Sequence, residues 1–155
     1  MTIQKGQQAP DFTLYNTDKN AVTLSSLKGK KVVLLFVPAA FTGTCTKELC
    51  SIRDGIGAFN NVNAEVIGIS CDSVFVLGKW KEQEGFNFTL LSDFNKEVTA
   101  QYGVDYAKGI FPAGMYGHSK RSAFVIDENG IVQYTEVLEI ASELPNFEAI
   151  MAALN

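Results

Sequence analysis

The segment KVVLLFVP, residues 31–38, constrains the fold more than any other. After Lys31 come six apolar residues in a row, and Pro38 closes the run. A strand with one face in water alternates polar and apolar residues. A strand with no polar positions must be covered on both faces. The run therefore predicts a central strand, with helices packed above and below its sheet. A second run, AEVIGIS (64–70), predicts a neighbouring buried strand.

The covering elements are legible too. Leu49, Ile52, Ile56 and Phe59 recur in steps of three and four, which predicts a helix from Thr44 to about Phe59. VFVLGKWKEQEG (74–85) predicts a helix ending at Gly85. NKEVTAQYG (95–103) predicts a short helix capped by Asn95 or Asp93, and PNFEAIMAAL (145–154) a closing helix capped by Asn146. DFTLYN (11–16) alternates and suits an edge strand or hairpin arm. FTLLSD (88–93) suits a short strand, and RSAFVID-ENG-IVQYTEVLE (121–139) two antiparallel strands around a turn. Residues 104–119 hold three glycines and Pro112, and read as a long loop of the kind that carries function. The expectation is an α/β fold with a central mixed β-sheet flanked by helices. No repeat or linker divides residues 1–155, so one domain is expected.

With 155 residues, 46% of them apolar, the chain can bury a core without disulfides or metal. A net charge of −4 without a basic cluster argues against a nucleic-acid or membrane-surface partner. The opening MTIQKGQQAPDF has no apolar signal-like stretch, and no run reaches the roughly 20 residues that span a bilayer. A cytoplasmic protein is expected. Three cysteines are too few for a disulfide framework, so each needs its own explanation: packing, metal or catalysis.

Cys45, in PAAFTGTCTKELC (38–50), falls where strand 31–38 has ended and a helix begins. Ligands of open α/β sheets bind beyond the carboxyl ends of the strands. Free N–H groups and positive partial charge at a helix start favour a thiolate. Thr42 stands three residues earlier, able to place a hydroxyl near the sulfur or to cap the helix. Gly43 permits a tight turn between them, and Pro38 ends the strand. Cys50 is five residues on. Five helical residues rise about 7.5 Å and turn about 500°, so the Cα atoms lie roughly 8–9 Å apart and face away from each other. A disulfide needs less than about 7 Å, so the bond requires the helix to unwind. Cys71, ending AEVIGIS, reads as a small buried hydrophobe, and His118 as a loop residue near the pocket mouth. A zinc site built from the three cysteines and His118 lacks a second close ligand pair.

Pro38, Thr42 and Cys45 spell P-x-x-x-T-x-x-C. With KGQQAPDFTL, LSSLKGKKVVLLFVPAAFTGTC, VIGISCDS, FTLLSDF, YGV and FVIDENGIV in that order, the chain resembles the peroxiredoxins, thiol peroxidases of the AhpC/TSA superfamily. The resemblance implies a thioredoxin-like fold with an N-terminal β-hairpin extension. It implies that Cys45 attacks a peroxide and becomes sulfenic acid, with Pro38, Thr42 and Arg121 in the catalytic set. Arg121 competes with its neighbour Lys120 for that place. Glu48 matches a position that is often Glu or Gln in the family, near the same pocket, where it would orient Arg121; its alternative role is a first-turn acid complementing the helix dipole. Phe41 is expected to wall the pocket.

Two branches of the family are evoked. TGTCTKELCSIRD resembles the PrxQ, or bacterioferritin-comigratory-protein, type, in which the later cysteine is the resolving thiol; here that is Cys50. FTGTCTKEL, FNFTLLSDF, YGV and the tail after GHSKRSAFVID look more like the AhpE-like branch, often one-cysteine enzymes using an external thiol. The resemblance implies no metal, haem or flavin. Its implied partners are a peroxide, a reductant such as thioredoxin, a glutaredoxin- or mycoredoxin-like protein or a low-molecular-weight thiol, and a second copy in a homodimer. A disulfide reductase would want C-x-x-C, where this chain has Cys45 and Glu48. A peroxide sensor on the same fold would consume peroxide without turnover.

Overall fold

The structure, a computed structural model, describes residues 1–155. Seven strands form one mixed sheet: β1 (Thr13–Asn16), β2 (Ala21–Thr23), β3 (Lys31–Phe36), β4 (Ala64–Ser70), β5 (Thr89–Ser92), β6 (Arg121–Ile126) and β7 (Val132–Leu138). Their order is β2-β1-β5-β4-β3-β6-β7. β3, β4 and β5 run parallel, and every other pairing is antiparallel. The helices are α1 (Gly43–Asp54), α2 (Ile56–Asn61), α3 (Val74–Glu84), α4 (Glu97–Gln101) and α5 (Phe147–Leu154). The β1–β2 hairpin at the sheet edge, the mixed sheet and the flanking helices match the thioredoxin-like expectation. No helix is long and apolar enough to cross a membrane.

β3 is buried on both sides, as its run of apolar residues requires. Val33, Leu35 and Val37 face a core with Leu49 and Ile52 of α1, Leu77 and Trp80 of α3, and Ile150 of α5. Val32, Leu34 and Phe36 face a second core with Val98 of α4, Tyr102 and Phe124. Trp80, the only tryptophan, is fully buried. Its indole N–H donates to Thr46 Oγ1 in the first turn of α1 (3.2 Å).

Two helix expectations need correction or sharpening. The helix predicted from Thr44 to Phe59 is two helices, because the Gly55 N–H bonds back to Ser51 and Ile52 and closes α1 there. A glycine has little helical propensity with which to carry the ladder onward. At α4 the Asp93 carboxylate, not Asn95, receives the free amides, those of Val98 (3.2 Å) and Thr99 (2.7 Å). Gly85 and Asn146 end α3 and begin α5 as expected, Asn146 accepting from the Ala149 N–H at 3.0 Å.

This topology makes a site at one edge. The carboxyl ends of β3, β4 and β5 share that edge, and antiparallel β6 starts there. Ser122 pairs with Phe36, so Arg121 stands just beyond the end of β3, beside the start of α1.

Gly85 (φ 66°) and Gly103 (φ 70°) share a left-handed conformation but not their surroundings. A methyl at Gly85 meets nothing, whereas one at Gly103 would collide with the Met1 carbonyl and the Thr2 amide. Gly85→Ala should cost about 1 kcal/mol, the price of left-handed backbone alone. Gly103→Ala should cost clearly more, because the N-terminal segment must also move. Urea unfolding of both variants checks the order, and equal losses would refute it.

Candidate active site

Beyond Phe36 the chain makes one more sheet bond, Val37 N–H to the Ile69 carbonyl (2.9 Å), and turns at buried Pro38. Thr42 is extended (φ −86°, ψ 153°) and α1 follows. The first helical bond runs from the Thr46 N–H to the Thr42 carbonyl, so the amides of Gly43, Thr44 and Cys45 lie ahead of the ladder. Thr42 does not cap the helix with its side chain. Its hydroxyl donates instead to the Ala39 carbonyl at 2.7 Å. Cys45 lies in the first turn and is 1% exposed.

Arg121 reaches that turn from β6. It is 1% exposed, far from the surface charge that a strand-end arginine would ordinarily be. Nη1 donates to Cys45 Sγ (3.4 Å) and to Glu48 Oε1 (2.8 Å), and Nη2 to the Ala141 carbonyl (2.7 Å). Lys120 points the other way, to Glu139 at 3.0 Å. Of the two adjacent cations, only the buried one meets the sulfur. Glu48 is fully buried and pairs with Arg121 rather than serving as an exposed helix-start acid.

One guanidinium thus faces two acids. Burial pushes the Glu48 carboxyl up to about 7, while its bond to Arg121 and that cation's charge pull the other way. The arginine remains charged throughout. When Glu48 holds its proton, its negative charge no longer offsets that of Arg121, and Cys45 is the other acid that the cation faces.

A small cavity of about 230 Å³ opens over the sulfur, lined by Pro38, Thr42, Cys45, Phe111, Arg121 and Ala141, among others. Pro38, Thr42, Cys45 and Arg121 are the four that the sequence points to; Phe111 and Ala141 carry no such sequence signal. The wall expected of Phe41 is supplied by Phe111. Phe41 has φ 65°, a backbone turn that sends its ring outward, where it is 46% exposed and lies 6.2 Å from Trp80. A larger groove of about 710 Å³, lined in part by Tyr15, Phe75 and Phe94, holds no cysteine.

The other thiols lie apart. Cys50, on the far side of α1, is half-buried and its Sγ–H approaches Glu84 Oε2 at 3.8 Å. Burial pushes its thiol up, with the Glu84 charge adding to the effect. Cys71 is no packed hydrophobe: it is half-buried beside a polar cavity. Thr99 Oγ1 spends its one proton on Asp93 (2.7 Å), so Cys71 is the donor in the 3.5 Å contact between them. His118 is not at the pocket mouth. It is buried against Phe111 (4.5 Å) and Tyr106 (5.0 Å), and burial lowers its pKa. No three His, Cys, Asp or Glu side chains gather as a metal site, so the three thiols and His118 form no ligand set.

A family profile described as "AhpC/TSA family" matches residues 5–135. The chain belongs to the AhpC/TSA family. Among relatives, a putative peroxiredoxin Q, chloroplastic, of Oryza sativa subsp. indica is 42% identical over 133 residues, 85% of this chain and 58% of the rice protein. The chain thus spans little more than half the length of that relative. A putative peroxiredoxin bcp of Coxiella burnetii is 42% identical over 132 residues, covering 85% of this chain and 87% of the other. The crystal structure of peroxidoxin BcpB from Mycobacterium tuberculosis superposes with a TM-score of 0.84 at 35% identity, covering 98% of this chain and 96% of that one. These names belong to the C-x4-C side of the two-branch resemblance. Within the AhpC/TSA fold, the match spans both the Cys45 turn and β6 with Arg121.

The raised Glu48 carboxyl has a consequence for stability. Between its ordinary value of 4.5 and about 7, the folded state keeps a proton that the unfolded state has released. Its contribution is therefore full below 4.5 and is lost as pH rises through 7. His118, lowered by burial, tilts stability the opposite way below its ordinary 6.5. Comparison with Glu48→Gln isolates the carboxyl. Wild type should lose stability relative to Glu48→Gln between pH 5 and 7.5 in urea titrations, and a constant difference would refute the assignment.

Proposed function

We propose that the chain is a thiol-dependent peroxidase acting on hydrogen peroxide and organic hydroperoxides through Cys45. The observation that carries this reading is the Cys45 thiol in the first turn of α1, 3.4 Å from a buried guanidinium. The Cys45 thiolate attacks the terminal, hydrogen-bearing oxygen of the hydroperoxide. A sulfur–oxygen bond forms as the O–O bond breaks, and the sulfur is oxidised to sulfenic acid. The leaving oxygen takes the electron pair and a proton, and departs as water or an alcohol. Arg121 offers donors fixed in advance where that negative charge develops. Thr42 and the amides at the start of α1 hold the peroxide oxygens, and Pro38 shapes the floor.

A thiol must then reduce Cys45. Either Cys50 closes a disulfide after α1 unwinds, or an external thiol acts directly. Thioredoxin, a glutaredoxin- or mycoredoxin-like protein and a low-molecular-weight thiol are the reductant classes. The raised Cys50 thiol, turned toward Glu84, favours the external route while the helix is wound. Need for a thiol supply makes the cytoplasm the proposed setting. Exposed Ile110, Met115, Tyr116 and Ile140 lie on the two loops that flank the cavity, and support a homodimer through that face.

Cys45→Ser should abolish peroxide consumption; substantial residual turnover would sink the assignment. Arg121→Lys should slow the reaction of Cys45 with peroxide by about tenfold or more, since the fork that holds sulfur, Glu48 and the Ala141 carbonyl is lost. Unchanged kinetics would point to another cation. Mass spectrometry after one equivalent of peroxide distinguishes the cycles. A 45–50 disulfide, lost with thioredoxin-linked turnover in Cys50→Ser, means two cysteines; sulfenic acid on Cys45 with turnover intact in Cys50→Ser means one.

A further inference from the structure

We infer that Asp72 is a positioning residue for this reaction, acting on Thr42 through the single peptide that joins Ala39 to Ala40. The inference rests on the peroxidase reading above. Asp72 lies in the loop between β4 and α3, outside the cavity over Cys45. Its Oδ2 accepts from the Ala40 N–H at 2.8 Å. The carbonyl of that same peptide, on Ala39, accepts from the Thr42 hydroxyl at 2.7 Å. A peptide unit is planar, so fixing its N–H fixes its C=O as well. Two alanines carry the segment, and neither side chain has a polar group with which to hold it.

The carboxylate is itself held from several sides. The Ser70 hydroxyl donates to Oδ2, the Asp72 N–H donates back to Ser70 Oγ (3.2 Å), and the Ser92 hydroxyl donates to the Asp72 carbonyl (2.6 Å). Asp72 thus ties the ends of β4 and β5 to the loop that leaves β3. An anion on the N–H of a peptide also polarises its carbonyl, which strengthens the bond from Thr42.

The chemical effect is on a proton. A threonine hydroxyl has one proton and two lone pairs. With that proton committed to Ala39, Oγ1 has only lone pairs to offer into the cavity. It can then accept the O–H of the hydroperoxide, whose oxygen Cys45 attacks. Without Asp72 the 39–40 peptide is free to rotate, and the hydroxyl loses its fixed direction. Asp72 therefore makes Thr42 an acceptor, while Arg121 is the donor.

The test is a double-mutant cycle read by two reactions. Asp72→Ala should slow oxidation of Cys45 by hydrogen peroxide about tenfold or more, as for loss of a bond to a charged group. In a Thr42→Val background it should add less than about twofold, because the two act as one unit. Alkylation of Cys45 by iodoacetamide, which needs the thiolate but no peroxide O–H, should change less than about threefold. Asp72→Asn keeps an acceptor at the same reach and should restore most of the lost rate. Additive losses, an equal fall in alkylation, or no rescue by asparagine would each overturn the inference. If Asp72→Ala does not fold by circular dichroism, Asp72→Ser, too short to reach Ala40, replaces it. Hydrogen exchange of the Ala40 amide reads the clamp without peroxide: protected in wild type and Asp72→Asn, faster in Asp72→Ala. An unprotected amide in wild type overturns the clamp alone. A protected amide in a wild-type protein that does not react with peroxide overturns the peroxidase reading, and with it any catalytic use of the clamp.

Discussion

A single buried guanidinium organises the structure. Arg121 touches a sulfur on α1, a carboxylate one turn further along the same helix, and a backbone carbonyl in the loop after β7. Removing a cation from water costs several kcal/mol, and it is tolerated only where partners surround it. Here the partners come from α1 and from the loop after β7, so the cation on β6 becomes a tie between three parts of the chain. The tie is imperfect: Arg121 Nε and Glu48 Oε2 are both buried without a partner.

The sheet exists, in functional terms, to bring this tie about. β3 delivers the loop that carries Thr42 and Cys45, and antiparallel β6 delivers Arg121 against its end. β4 and β5 supply Asp72 and its support from the same edge. The helix start, the cation and the acid are far apart in sequence, and each is held by an element whose own burial fixes its direction. Rigidity of this kind lets a site be ready before its substrate arrives.

Much of this was legible from sequence because it is local. A run without polar positions announces β3, spacing announces the α1 face, and Gly85 and Asn146 punctuate their helices. The residues Pro38, Thr42 and Cys45 stand in one short motif, and the structure brings them to one cavity with Arg121. What stayed hidden depends on backbone geometry or distant packing. The Ala141 carbonyl is invisible, since every residue has one. The sequence suggests Phe41 as a wall because no sequence rule announces its φ of 65°. His118 looked like a loop residue because its burial depends on Tyr106 and Phe111 closing over it. Asp72, in VIGISCDS, carries no sequence signal, since only the fold shows that its carboxylate reaches Ala40.

Trp80 carries one more implication. The only indole in the protein is bonded to Thr46, one residue beyond Cys45, and is buried on the face opposite solvent. Any event that shifts this turn, whether a bulkier oxidised sulfur or partial unwinding of α1, must change the polarity around that ring. The protein thus holds a built-in optical gauge of its reactive turn, with no second tryptophan to blur the signal.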